Sequence, residues 1–313
     1  MAFIGRRVVG LGAVALALVA LTFVIVQLVP GDPARNIAGL SASPQQIAIV
    51  RDRLGLNDQV LLQAWHYLSG LVSGNWGASF VNDQSVLSLI AQRLPFTLSV
   101  AAGGLLFVLL LAFPAGMAMA VRETRNSGSS TSGAFNAVTG VLGAVPEYVT
   151  GTILVTVFAV QLQWVPVQGG QSVSGYLLPC IAVGLAPGAA FARIVRNETR
   201  SVLSQEYIAT ARSKRISTSR LLVFHALPNV ATSTLTMGGI LLVALLGGTV
   251  IVENLFTIPG LGTQIVQAIL ASDYPMIQGI ILTLGLVAVV MNLLIDIVLA
   301  VLDPRVMSSG AAA

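Results

Sequence analysis

Long charge-free apolar runs alternate with short polar breaks along this chain, and the runs predict its elements. From Val8 to Val29 no charged residue occurs. At about 1.5 Å per residue that run reaches roughly 33 Å, enough to cross a hydrocarbon core. It is too long for the core of a signal peptide, and no A-x-A site follows promptly. It therefore reads as an uncleaved first span, stopped by Pro30-Gly31-Asp32-Pro33. Further runs predict spans at about Pro95–Val121, Phe135–Leu162 (interrupted at Pro146-Glu147), Leu177–Val195, Asn229–Val252 and Met276–Leu302. The expected fold class is an all-α integral membrane protein with six transmembrane helices.

The expected division is 1–30, N-terminus and span one; 31–94, an extracytoplasmic helical segment; 95–302, the transmembrane core; and 303–313, a cytoplasmic tail. Within the second part, Ser43-Pro44-Gln45-Gln46 is a helix start, with Ser43 as N-cap, Pro44 at N1 and Gln46 capping in return. That helix presents Ile47, Val50 and Leu54 on one side and ends at Gly55. A second runs from about Gln59 to Leu71 with Trp65 and Leu68 inward. Gly74–Gly77 is a turn, and a third helix, Gln84–Arg93, leads into span two. Asn126–Gly133 reads as a short loop. Trp164, Pro166 and Tyr176 bracket a short outer loop, as interfacial aromatics do.

Charge sets the orientation. The segments that would face the cytoplasm, from Arg6 and Arg7 through Arg122 and Arg125 to Arg305, hold twelve of the sixteen Lys and Arg. The two later outer loops hold none, so both termini are expected inside. Composition agrees with a membrane protein: 55% hydrophobic and 9% charged residues, against about 25% charged in soluble domains. The single Cys180 excludes an internal disulfide, and His66 and His225 lie too far apart in sequence to suggest a metal centre. The basic residues flank spans, which gives no indication of nucleic-acid binding.

The chain has no G-x-x-x-x-G-K-[ST] phosphate loop and no H-E-x-x-H, so no ATP-binding or catalytic constellation is expected. Charged residues inside spans are costly and default to functional candidates. Glu147 follows Pro146 near the middle of span three; it either faces a translocation path, where it could meet a cationic amine, or packs at a helix break. Asp296 reads better as an arginine partner that fixes packing, and Arg193 lies near an inner end. The pairs Gly238-Gly239 and Gly247-Gly248 permit close helix contact in span five.

The most basic stretch is Val202–Thr236, between spans four and five, and the expected loop spans residues 196–228. Glu206-Tyr207-Ile208-Ala209-Thr210-Ala211-Arg212 suits a short helix with Tyr207 and Ile208 as knobs. Ser217 is a candidate N-cap for a second helix towards His225. Two short helices joined by a turn suit insertion into a partner's groove, the alternative being a helix lying on anionic lipid. Ala209, Ala211 and the neighbouring tyrosine fit protein packing better.

Here the sequence resembles the inner-membrane permease subunits of ABC importers. Their cytoplasmic signature is E-A-A, three residues, G, nine residues, I-x-L-P. Ala209-Thr210-Ala211, then Arg215, then His225-Ala226-Leu227-Pro228 stand at that spacing. Ala209 replaces the glutamate, Arg215 the glycine and His225 the isoleucine. Glu206–Lys214 and His225–Asn229 look like the dipeptide/oligopeptide branch. So do Val29–Pro33, Leu54–Leu56, Gly74–Phe80, Arg93–Leu98, Val252–Gly262 and Asp303–Arg305.

The resemblance implies the type I importer permease fold and a location in a bacterial inner membrane. It implies one half of a path for di- or oligopeptides, shared with a homologous second permease. Two cytoplasmic ATPases, an extracytoplasmic binding protein and membrane lipid are the implied partners. ATP and Mg would be bound by the partner subunits and no cofactor by this chain. Docking is implied on Glu206–Arg220, with Lys214, Leu227 and Pro228 in the matching motif; aspartate at Tyr207 or Ala211 is expected to uncouple transport. Glu253, Phe256, Pro259 and Gly260 match the family's outer C-terminal motif. Related permeases carry glutathione or nickel, and a carrier acting alone is the reading from another class.

Overall fold

The computed structural model describes residues 12–24, 32–39, 42–53, 55–125 and 129–302. Among them the elements are helices, with one isolated antiparallel bridge between Ala78 and Ser85. The helices are α1 (Gly12–Val24), α2 (Pro33–Ala38), α3 (Pro44–Arg53), α4 (Val60–Ser73), α5 (Val86–Arg125), α6 (Ser129–Ala144), α7 (Glu147–Leu154), α8 (Val173–Leu203), α9 (Glu206–Ser213), α10 (Thr218–Leu221), α11 (Leu227–Leu255), α12 (Leu261–Ala271) and α13 (Tyr274–Leu302). π-helical turns extend α7 (Val155–Gln161) and join α10 to α11 (Leu222–Ala226). Among the described residues four helices are long and apolar enough to cross a membrane: α5, α8, α11 from Met237, and α13 to Ile295. α6 and α7 meet at an angle of 91° and count as a fifth if they form one bent span. The break falls at Pro146, as the sequence predicts.

Several expectations lie outside the described residues: Arg6, Arg7, Pro30, Gly31, Leu54, residues 126–128, and the terminal Asp303-Pro304-Arg305. The side chain of Asp296 is also outside them. From Ser129 onward the expected polar loop is already helical.

The chain divides into two units. The first comprises residues 1–97 and 259–290. Its apolar core joins Val86, Leu89 and Ile90 of α5 to Leu261 and Ala268 of α12 and Met276, Ile277 and Ile280 of α13. Gly279 permits this approach, since a Cβ there would collide with Val86 Cγ1. Polar pins complete the unit. Asp273, 1% exposed, accepts hydrogen bonds from the Ser79 hydroxyl and, at 3.0 Å, from the Phe80 N–H. The Thr97 hydroxyl accepts at 2.8 Å from Leu261 N–H, one of the orphan donors at the start of α12.

The expected capping box is present: Ser43 N–H donates to Gln46 Oε1 at 2.8 Å, and Gln46 N–H to Ser43 Oγ at 3.3 Å. Asp32 begins α2, capping Ala34 N–H at 3.1 Å, and pairs with Arg51. The helix expected over Gln84–Arg93 leads into span two without a break, the two forming one continuous helix, because Pro95 is tolerated inside a membrane helix. One expectation fails. Trp65 and Leu68 of α4 point outward, 65% and 38% exposed. Apolar residues on several faces of α4 leave its inward side ambiguous in sequence, and Tyr67 turns inward instead, its ring 6.1 Å from that of Phe23.

The second unit comprises residues 98–258 and 291 onward. Its centre is the crossing of α5 and α8, where neither helix has bulk to spare. A Cβ on Gly116 would lie 2.6 Å from the Ala192 carbonyl oxygen, and one on Gly184 would lie 2.9 Å from that of Gly104. Gly184-x-x-x-Gly188 is the small-residue spacing that lets membrane helices approach. It is less conspicuous in sequence than the glycine pairs of α11, of which Gly239 packs on Ile295 while Gly238 and Gly247 face open space.

Gly116→Ala should therefore lose about 1–3 kcal/mol through overpacking against rigid backbone. Gly140→Ala, with nothing within 4 Å of the new Cβ, should be neutral or stabilising by up to ~1 kcal/mol. Thermal unfolding of the purified chain in detergent separates the two, and equal midpoints would contradict the crossing described here.

Candidate functional site

The candidate loop begins where α8 ends. Val202 and Leu203 remain buried, and the Ser204 N–H closes the helix on the Arg200 carbonyl at 3.2 Å. After Gln205 the chain turns into α9, with Glu206 in its first turn, where the helix dipole favours an acid. Ile208 and Ala211, three apart on one side, are 0% and 7% exposed. They join a core that contains Val108, Ala112 and Met117 of α5, Phe191, Ala192 and Val195 of α8, Leu221 of α10 and Val230 of α11. Tyr207, Thr210 and Lys214 share an adjoining face, about 100–160° round the helix from Ile208, with Tyr207 45% exposed. Ala209, Arg212 and Arg215 are also exposed.

Only half of the expected pair of knobs is available. Successive residues on a helix stand about 100° apart, so a helix that packs Ile208 inward presents Tyr207 alone. Ala211 likewise belongs to the core, and aspartate there would disturb the fold as well as any docking. The outward face is a groove of about 380 Å³ between Tyr207, Lys214, Phe224, His225 and Asn229, lined also by Ala211 and Ile216.

Arg215 stands in the left-handed region at φ 55°. Its N–H donates to the Arg212 carbonyl at 2.9 Å, and the Ile216 N–H donates to that of Ala211 at 3.4 Å. This pair of bonds is the Schellman closure, with Arg215 at the position usually held by glycine. Ile216 then packs on the same core as Ala211. The turn has kept its shape, and arginine occupies it.

Ser217 has N-cap geometry, but its hydroxyl makes no capping bond. The second loop helix is not separate: α10 continues through the π turn into α11, the Leu227 N–H donating to the Leu222 carbonyl. Pro228, which has no N–H, sits just beyond this turn, and the wider hydrogen-bond register accommodates it. The Asn229 side-chain amide donates to the His225 carbonyl at 2.8 Å.

Beneath the loop lies an ionic cluster that sequence reasoning missed. Glu123 of α5 stands 3.6 Å from Arg196 and 3.4 Å from Arg200 of α8. Arg196, 9% exposed, also donates to Asn136 Oδ1 at 2.8 Å and lies 5.3 Å from the centre of the Phe135 ring. The available signal was a lone glutamate among the arginines that close span two. Arg193, the arginine singled out in the sequence, is exposed.

Two expected path residues come together. Glu147 is half-buried in the first turn of α7, after Pro146 as N-cap. A Cβ on Gly248 of α11 would stand 2.6 Å from Glu147 Oε2, so the missing side chain makes room for the carboxylate. Gly247 faces away.

The expected outer motif is less exposed than its polarity suggests. Glu253 lies in the last turn of α11 and is 0% exposed; Phe256 is 1% exposed. The Phe256 carbonyl accepts from Gly169 N–H at 2.8 Å, and Thr257, at φ 53°, closes α11 much as Arg215 closes α9. Gly260 is buried and Pro259 exposed. Among the described residues no group of three or more His, Cys, Asp and Glu could hold a metal ion.

A loop helix packed into a core of long apolar helices defines a membrane component. The chain belongs to the family of binding-protein-dependent transport system inner membrane components, whose model matches residues 112–308; the N-terminal model of the same components matches residues 1–101. It is thus a permease subunit of an ABC importer. It is 36% identical over 304 residues to the glutathione transport system permease protein GsiC of Salmonella typhimurium and to that of Escherichia coli K12, covering 97% of this chain and 98% of each relative.

The turn at Arg215 makes a measurable prediction. A non-glycine residue in the left-handed region costs roughly 1–2 kcal/mol, and glycine gives back about 0.5–1 kcal/mol of that as chain entropy. Arg215→Gly should be neutral to slightly stabilising, whereas β-branched Arg215→Val should be the clear loser. Thermal midpoints and protease resistance of the loop are the measurements. Val matching Arg would contradict the assigned backbone.

Proposed function

We propose that this chain forms half of the path of a peptide-class ABC importer and receives the force of ATP hydrolysis on α9. In this reading it has six spans of the type I arrangement, with both termini in the cytoplasm of a bacterial cell. It pairs with a homologous second permease, two ATPases that bind ATP and Mg, and an extracytoplasmic binding protein. The observation that carries the proposal is the division of α9: Ile208 and Ala211 lock it to the core while Tyr207, Thr210 and Lys214 face outward to meet a partner. A force on the outward side passes to α5, α8 and α11 without first ordering the loop.

The cargo follows less directly. The names of the relatives support glutathione, itself a tripeptide, as the first substrate to test within the wider di- and oligopeptide class. Glu147 is the residue proposed to face the path, where its carboxylate on Gly248 could meet a peptide's ammonium group.

Tyr207→Asp tests the docking claim. In the reconstituted complex it should abolish substrate-stimulated ATP hydrolysis and uptake while the purified chain keeps its thermal midpoint. Uptake at the normal rate in that variant contradicts docking on α9. Glu147→Gln should raise the peptide concentration for half-maximal uptake about tenfold, the scale of one lost hydrogen bond to a charged group, with complex assembly unchanged. An unaltered uptake curve removes Glu147 from the path.

A further inference from the structure

The first unit holds a cavity that coupling and the proposed path leave unused. Its volume is about 370 Å³, within the range of small-molecule sites. Five aromatic side chains line it: Phe23 of α1, Tyr67 of α4, Trp76 and Phe80 of the loop before α5, and Tyr274 of α13. Asp58 contributes a carboxylate, and a Cβ on Gly55 would stand 3.3 Å from its Oδ2. Among the described residues no lysine or arginine lines the cavity.

The Tyr67 side chain brings a hydroxyl to the same lining. The hydroxyl is buried, yet it makes no hydrogen bond among the described residues. Burial pushes the Tyr67 phenol up to about 12, so it keeps its proton and offers both a donor and lone pairs. A buried hydroxyl left without a partner costs about 1–3 kcal/mol. The Phe23 ring, nearly parallel to that of Tyr67 at 6.1 Å, restricts where the hydroxyl can turn. The described residues thus hold a polar atom in place without supplying what it bonds to.

Aromatic faces attract cations through the negative face of the ring, most strongly when the cation has left water. One carboxylate and no lysine or arginine give the cavity the same preference, with the His66 imidazole also on its lining. We infer that this cavity binds an organic ammonium group with an acceptor oxygen close by, the ammonium set among the rings and Asp58 and the oxygen on the Tyr67 hydroxyl. Two sources carry that chemistry: a soluble amine, or the headgroup of an aminophospholipid. The exposed Leu61, Trp65 and Val72 on the outer side of α4 make the lipid source reasonable.

The test uses the full chain in nanodiscs, with Trp65 and Trp164 replaced by phenylalanine so that Trp76 alone reports. In phosphatidylglycerol nanodiscs the probe is ethanolamine, with ethylene glycol as its neutral counterpart. In the second arm the discs contain equal phosphatidylethanolamine and phosphatidylglycerol, and native mass spectrometry reads which lipid stays bound. A soluble-amine site gives saturable quenching by ethanolamine only. A headgroup site gives selective retention of phosphatidylethanolamine. In either case Asp58→Asn and Tyr67→Phe should each weaken binding tenfold or more, the two variants guarding against a fold defect in one. Absence of both signals, or a signal unmoved by both substitutions, overturns the site.

Discussion

The coupling proposed for this permease depends on one packed contact: Ile208 of α9, fully buried against the core that joins α5, α8 and α11. A loop between two membrane helices would ordinarily be the softest part of the molecule. Here the loop contributes Ile208, Ala211 and Leu221 to the same apolar cluster as Phe191 and Val195. Interiors packed to this density transmit displacement instead of absorbing it. The Schellman closure at Arg215 and the Glu123–Arg196–Arg200 cluster tie down the two ends of that lever.

Ile208 holds the loop while Tyr207, Thr210 and Lys214 face outward, and Ala211 and Ile216 both pack on the core and line the groove. Arg215 can stand where the family's signature has glycine. The required backbone is set by two hydrogen bonds and the packing of Ile216, and a long flexible side chain without β-branching tolerates the conformation at modest cost. The arginine adds one positive charge to an already basic surface.

Much of the fold was legible because membrane helices announce themselves by length and lack of charge. The box at Ser43 and Gln46 and the break at Pro146 were readable for equally local reasons. What failed depended on partners distant in sequence. The inward side of α4 was decided by Phe23, more than forty positions away, and not by the periodicity around Trp65. Glu123 looked like part of a polar stop until α8 brought Arg196 and Arg200 beside it. At the site the sequence located the helix and its odd residue, yet could not say which of Tyr207 and Ile208 turned outward, since both are large and adjacent.

The rigid connection of α9 to the core can be measured directly by electron spin–spin distances. Labels at Ala209→Cys and Arg122→Cys, both exposed positions, in a Cys180→Ser background would span α9 and the end of α5. In the assembled transporter the account predicts one narrow distance distribution that stays unchanged between the resting and ATP-bound states. A broad distribution, or a distance that shifts when ATP binds, would show α9 moving independently of the helices it is held to drive.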